Sequence, residues 1–331
     1  MMMPDVEERH ALAELNPYHS VEQCFEVHHN ELLVGIKNVE QIPASLLKRL
    51  QSKDRYALHT LDAHALGGRA VDLQLINPIS GRWMSGSSSG TAINVLTYIN
   101  DVGIGTDGGG SVLAPAMSVN LFGFISPLIE AESMKRYTKQ STDGISFTPS
   151  IGFMTRDYEM MIKVVKDAYP LPEAETQSDI LISDRDSQNY PFAVRSCSFP
   201  DLGGSRLDLI DFLNSVLPTC DCLISYEGPI DLEGFGDTLF GHFDKRSQAI
   251  QKAASKGLIR VVNMVNATAL CVPSSALGCG FVLICESKET KIAGMLALAG
   301  QLAGEPDVMV HRYFQNLSMY FSKGYLSEEE R

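Results

Sequence analysis

Apolar residues fall along this chain in two rhythms. Short, nearly continuous runs occur at Glu31–Lys37, Leu73–Ile76, Ile180–Ile182, Phe192–Val194, Cys222–Ile224, Leu258–Val265 and Gly280–Cys285. Their length and aliphatic content predict buried strands. Elsewhere the apolar positions recur at helical spacing: Ile42, Leu46, Leu47 and Leu50; then Ala92, Val95, Leu96 and Ile99; then Met160, Met161, Val164 and Val165. These predict helices over 40–52, Thr91–Asn100 and Asp157–Ala168, and further helices are expected at Leu207–Leu217, Phe243–Lys256 and Thr290–Leu302. Strands alternating with helices make this an α/β protein, and the alternation by itself suggests a mostly parallel sheet.

The connecting stretches carry their own signals. Residues 1–30 are polar and charged, and read as a helix and a loop over the body. Asn77-Pro78 marks a turn, residues 128–143 a surface excursion, and Glu173–Gln177 a loop after which the composition shifts. Val112–Pro127 is apolar but interrupted by Pro115 and Gly123, so a buried irregular segment is expected there.

Composition narrows the class. A chain of 331 residues, 44% hydrophobic and 20% charged, has the make-up of a soluble globular protein with ample length for a core. Its net charge of −13 is spread rather than blocked, which argues against nucleic-acid and anionic-membrane partners. The start, MMMPDVEERH, lacks an apolar export signal, and the seven cysteines sit mostly in apolar runs. A cytoplasmic protein with reduced thiols is therefore expected. Cys220 and Cys222 lack a second ligand pair, and His28–His29 cannot share a helical face, so no metal or organic cofactor is expected.

Candidate chemistry concentrates in Gly81–Ser111, where two glycine–serine knots, Ser85–Gly90 and Gly105–Ser111, flank the predicted helix. Three readings compete. Gly103-x-Gly105-x-x-Gly108 matches a dinucleotide fingerprint, but there the helix should follow the glycines, and here it precedes them. Gly86–Gly90 matches G-x-S-x-G, making Ser88 the nucleophile of an α/β-hydrolase-like esterase with His242 or His311 as base. The lead-in to that knot is turn-rich, however, where a nucleophile elbow needs a strand. In the third reading the two knots act together, with Ser87 and Ser111 24 residues apart.

That third pattern resembles the amidase signature family. The resemblance lies in the first knot, the short helix, Gly105-Thr106-Asp107-Gly108-Gly109-Gly110-Ser111, and the following Pro115-Ala116. It extends to Gly35-Ile36-Lys37-Asn38, Asn77-Pro78, Gly152–Asp157 and the stretch from Ala269 to Leu302, and so covers most of the chain. It implies an amidase-signature-type mixed β-sheet core covered by helices on both faces, in a single domain spanning 1–331 with its catalytic core at about 31–127. It also implies a Ser–cis-Ser–Lys triad, with Ser111 as nucleophile, Ser87 as bridging serine and Lys37 as base. The amides of Gly108, Gly109 and Gly110 would form the oxyanion hole, supported by Asp107 and Ser88.

The family's pattern is not met everywhere. Ser85 and Ser89 stand where glycines are usual, Leu113 where an arginine is usual, and the chain is short for the family. A pocket with fewer walls, open or completed by a partner subunit or a second copy, is expected from that trimming. The implied activity is hydrolysis of a small-molecule carboxamide through an acyl-enzyme. The alternatives are acyl transfer or an amidotransferase subunit using the same site, and a non-catalytic binding scaffold. A serine hydroxyl needs a base to attack, and a lysine delivered to a dry site by an apolar strand is a suitable one.

Overall fold

The computed structural model describes residues 5–174, 179–305, 307–314 and 316–321. Residues 1–4 of the acidic start and most of the expected Glu173–Gln177 loop lie outside them. The strands, in chain order, are β1 (Val21–Cys24), β2 (Leu32–Lys37), β3 (Tyr56–Asp62), β4 (Val71–Ile76), β5 (Trp83–Ser85), β6 (Val102–Asp107), β7 (Phe122–Ser126) and β8 (Lys139–Gln140). They continue with β9 (Ser146–Phe147), β10 (Ser150–Thr155), β11 (Ile180–Ser183), β12 (Arg195–Cys197), β13 (Cys222–Glu227), β14 (Ala267–Pro273) and β15 (Gly280–Glu286). The helices are α1 (Val6–Leu15), α2 (Ala44–Gln51), α3 (Ser89–Leu96), α4 (Leu113–Ser118) and α5 (Ala131–Met134). After them come α6 (Tyr158–Ala168), α7 (Arg206–Val216), α8 (Lys245–Lys252), α9 (Glu289–Leu302) and α10 (Val308–Phe314).

Eleven strands form one sheet in the order β1-β3-β2-β6-β10-β7-β14-β15-β13-β11-β12. Pairing is parallel at β3/β2/β6 and at β13/β11/β12, and antiparallel everywhere else. The sheet is therefore mixed, and the mostly parallel arrangement suggested by alternation alone is corrected. The centre is antiparallel because β7, β10, β14 and β15 pair with one another. β4/β5 and β8/β9 form separate two-stranded ribbons.

Successive residues of the central strands point to opposite faces, as the pleat requires. Phe124, Phe153, Leu270 and Leu283 enter one core with α2, α6 and α9. Their neighbours Ile125, Met154, Cys271 and Ile284 enter the other with α3, α4 and α7. Helices thus cover both faces of the sheet. The runs at Glu31–Lys37 and Gly280–Cys285 and the helices at 40–52, Asp157–Ala168, Leu207–Leu217 and Thr290–Leu302 all appear, with ends shifted by a few residues.

Several local expectations fail for identifiable reasons. Leu258–Val265 is not a strand but two 3₁₀ turns, Leu258–Arg260 and Val262–Val265. The buried carboxylate of Glu227 accepts the N–H groups of Gly257 (2.8 Å) and Leu258 (2.7 Å), taking donors a ladder would need. Val112–Pro127 is regular, a helix followed by β7, because Pro115 sits in the first turn of α4, where its missing N–H costs nothing. Phe192–Val194 is not a strand; the ladder partner is the next segment, β12. The helix expected over Phe243–Lys256 is confined to α8, preceded by a 3₁₀ turn at Phe240–His242.

The second glycine knot also begins inside a strand. β6 runs through Gly103 and Gly105, buried between β2 and β10. A Cβ on Gly103 would lie 2.5 Å from Thr91 Cγ2, and one on Gly105 would lie 2.6 Å from Ser88 Oγ. The glycines let α3 and the first knot lie directly on the strand.

Candidate functional site

The site gathers where β2 and β6 end side by side. β2 delivers Lys37, whose side chain is buried although it is a lysine. Its Nζ donates to Ser87 Oγ at 2.8 Å and to Thr106 Oγ1 at 3.3 Å. Burial lowers the Lys37 pKa to about 7; the Asp107 carboxylate opposes this and Lys139 adds to it. Near neutral pH a large fraction of this lysine is the free amine.

Ser87 lies between β5 and α3 and is buried. The Gly86–Ser87 peptide bond is cis. The first knot is pinned on both sides: Gly86 N–H donates to Ala70 O (2.9 Å) and Ala65 N–H donates to Ser87 O (3.1 Å). The knots are joined directly, because Ser88 N–H donates to Ser111 O at 3.1 Å. Ser88 itself is fully buried against β6, and its Oγ has no hydrogen-bond partner. A strand does lead into this knot, contrary to the turn-rich reading of its lead-in, yet Ser88 is not among the residues lining the cavity that Ser87 opens onto.

The second knot turns on Asp107. Its carboxylate, wholly buried, accepts from Gly110 N–H (2.7 Å), Val112 N–H (2.7 Å) and Leu113 N–H (3.3 Å). Burial raises the Asp107 pKa, while those three donors and Lys37 lower it. Gly110 takes φ 98°, where only glycine is comfortable, and this conformation folds its N–H back onto Asp107. The expected oxyanion hole is narrowed accordingly. Gly108 and Gly109 line the pocket beside Ser111, whereas the Gly110 N–H is already committed. Strand, glycines and helix do follow one another here, but Gly103 and Gly105 are inside β6 rather than on the turn, so the dinucleotide fingerprint fails on placement.

Lys37, Ser87 and Ser111 open onto one cavity of about 470 Å³. The lysine side of the relay is hydrogen-bonded; no side-chain hydrogen bond joins Ser87 to Ser111. The β8–β9 hairpin and the Asp237–Leu239 segment wall the cavity, so this chain supplies more of the pocket than its length suggested. Several lining residues are not marked by the sequence, His64 among them. His64 faces the cavity, its pKa lowered by burial and by Lys37, and its Nδ1 is buried without a partner. The only signal for it was its place among small residues, Ala63-His64-Ala65, ahead of Gly67-Gly68. The alternative bases lie elsewhere: His242 ends the 3₁₀ turn before α8, and His311 lines a different cavity with Leu96 and Arg156.

Among the described residues no group of three or more His, Cys, Asp or Glu is placed to hold a metal ion. None of their helices is long and apolar enough to cross a membrane. A buried low-pKa lysine hydrogen-bonded to a buried serine, and a half-buried serine on a glycine loop at the same cavity, are groups suited to nucleophilic acyl chemistry.

Fold and site define an α/β protein of amidase-signature architecture, and the comparisons agree. The family model described as Amidase matches residues 73–194. A rice protein, "Amidase 1" from Oryza sativa subsp. japonica, is 34% identical over 100 residues. That match takes in 29% of this chain and only 21% of the rice protein's length. Among solved structures, a glutamyl-tRNA(Gln) amidotransferase subunit from Thermotoga maritima superposes with a TM-score of 0.62 at 13% identity, covering 91% of this chain and 95% of its own. A 6-aminohexanoate cyclic dimer hydrolase superposes with a TM-score of 0.61 at 12% identity, covering 92% and 95%. At these identities the structures establish the shared fold.

Proposed function

We propose that the protein is an amidase, hydrolysing a linear carboxamide through an acyl-enzyme on Ser111. The observation that carries this reading is the Lys37 Nζ–Ser87 Oγ hydrogen bond of 2.8 Å, made by a buried lysine with a pKa lowered to about 7, on the same cavity as Ser111.

The neutral Lys37 amine accepts a proton from Ser87, which accepts one from Ser111 as its Oγ attacks the amide carbon. The carbonyl oxygen becomes the oxyanion of a tetrahedral intermediate beside the Gly108 and Gly109 amides. Preorganised donors of this kind are typically worth about 3 kcal/mol each. The proton returns through Ser87 to the leaving nitrogen, and the C–N bond breaks. Water, deprotonated by the same relay, then attacks the ester carbon; the carbon–Oγ bond breaks, the relay returns the proton to Ser111 Oγ, and the acid is released. Lysine suits the role because its pKa, near the working pH, lets it both take and return the proton.

A fluorophosphonate probe with mass-spectrometric mapping tests the assignment. Label on Ser111, absent in Ser111→Ala and in Lys37→Met, is the expected result. Label on Ser88 would instead favour the esterase reading. Absence of any label, together with no turnover across simple amides, would favour a binding scaffold.

A further inference from the structure

The described residues lining the cavity carry more cations than carboxylates, in a chain whose net charge is −13. Three cations line it besides Lys37: Arg69, Lys139 and Arg206. Arg69 Nε is paired with Asp237, 3.0 Å away and the only carboxylate among the lining residues. Arg206, at the start of α7, has a side chain only 7% exposed. It grips both Asp143 oxygens with Nε and Nη2. Those bonds leave Nη1, which lies 3.8 Å from where a Cβ on Gly109 would be. Lys139, on the β8–β9 hairpin, makes no ion pair among the described residues. Its Nζ lies 5.7 Å from the centre of the Phe147 ring.

A neutral amide filling this cavity would cover Lys139 without answering its charge, and Arg206, whose charge Asp143 already balances, would still have Nη1 to offer as a donor. A carboxylate would answer Lys139 and accept from Nη1, since charge-assisted hydrogen bonds to guanidinium and ammonium are the strong ones. A positive pocket in an acidic protein also draws anions selectively to the site.

Resting on the amidase reading, we propose that the substrate is an amide that itself bears a carboxylate, held by Lys139 and by Arg206 Nη1 beside Gly109. A monoamide of a short dicarboxylic acid has this chemistry.

The test compares the monoamides of succinic, glutaric and adipic acids with butanamide, pentanamide and hexanamide on the full chain. The expected result is at least a tenfold higher kcat/KM for the best acidic amide than for its neutral counterpart. That ratio should fall by about tenfold in Lys139→Gln and in Arg206→Gln, and should shrink in 0.5 M NaCl. Taking the ratio cancels any effect of Lys139 on the base, because both substrates use the same Lys37. Lys139 is exposed, so its variant keeps the test standing if Arg206→Gln does not fold. Equal or reversed preference overturns the proposal and leaves the amidase reading intact. If nothing turns over and Ser111 does not label, the amidase reading fails and calorimetry decides the carboxylate site by itself. Binding of glutarate or adipate that weakens tenfold in Lys139→Gln supports the site; no binding, or binding unchanged in the variant, overturns it.

Discussion

Replacing Lys37 by methionine separates what the lysine does for chemistry from what it costs the fold. Lys37 is 3% exposed and its pKa is lowered from 10.5 to about 7, chiefly by burial. The unfolded chain, where the lysine titrates normally, binds more protons than the folded chain between those two values. Stability therefore rises with pH across that window, and below about pH 7 the full penalty is present. A shift of this size corresponds to roughly 5 kcal/mol at low pH. By the same linkage it has dropped by roughly 3 kcal/mol on going from pH 6 to pH 9. Lys37→Met removes the titration and keeps most of the volume, while losing the hydrogen bonds to Ser87 and Thr106. That loss does not vary with pH, so the pH dependence of the difference isolates the lysine. Urea unfolding of both proteins from pH 6 to pH 9 should show the methionine variant's relative stability falling by about 3 kcal/mol. Over the same range wild-type kcat/KM should rise with pH through about 7, where the amine loses its proton. The variant's activity should be lower by a factor of about 10² to 10⁴. A stability difference that is flat with pH would refute the depressed pKa, and with it the claim that a buried neutral amine is the base.

Other substitutions probe the surroundings. His64→Ala should leave Ser111 labelling within about tenfold of wild type, because Lys37, not His64, holds Ser87; a loss matching that of Lys37→Met would make His64 the base. Gly105→Ala forces a Cβ to within 2.6 Å of the buried Ser88 Oγ and should cost about 1–3 kcal/mol, read as a lower urea midpoint. Asp107→Asn should cost about 1–3 kcal/mol through its weakened amide contacts. It should also move the midpoint of the pH–rate profile down, since the Asp107 charge is what raises the Lys37 pKa against burial.

What the sequence showed and hid follows from how each segment satisfies its backbone. Glu31–Lys37 and Gly280–Cys285 were legible because their interiors, Leu32–Ile36 and Phe281–Cys285, carry no charged or hydrogen-bonding polar side chain. Tyr56–Asp62 was passed over because it carries His59, Thr60 and Asp62 at buried positions. These are admitted by a private network: Asp62 accepts from Thr60 and Asn94, and Asn100 donates to Thr60. No local pattern reveals partners 30 to 40 residues away. β6 was hidden for the opposite reason, since its glycines look like a loop until α3 is laid against them. Leu258–Val265 looked like a strand because its apolar content is real, and only the Glu227 carboxylate, far off in sequence, redirects its amides. Ser87 and Ser111 were singled out through the paired knots, and Lys37 through the resemblance of Gly35-Ile36-Lys37-Asn38. His64 and the Lys139–Arg206 wall were not, because separate elements bring them together only in the folded chain.

Asp107 ties the two halves of the site into one electrostatic unit. It ends β6, two strands across the sheet from β3 and directly beside the β2 end that carries Lys37. Its carboxylate fixes the glycine loop by taking the Gly110, Val112 and Leu113 amides, and the same charge is the largest one holding up the Lys37 pKa. Neither task is separable from the other. Without the charge, burial alone would drive the lysine pKa lower still, leaving a weaker base that returns its proton more readily than it takes it. Without the amide contacts, only Lys37 would favour the ionised carboxylate so far from water. In the proposed mechanism the loop thus stabilises the charge, the charge tunes the base, and the base would act through Ser87 on the serine that ends that loop. This arrangement accounts for the glycine at position 110, whose φ of 98° turns its N–H onto Asp107.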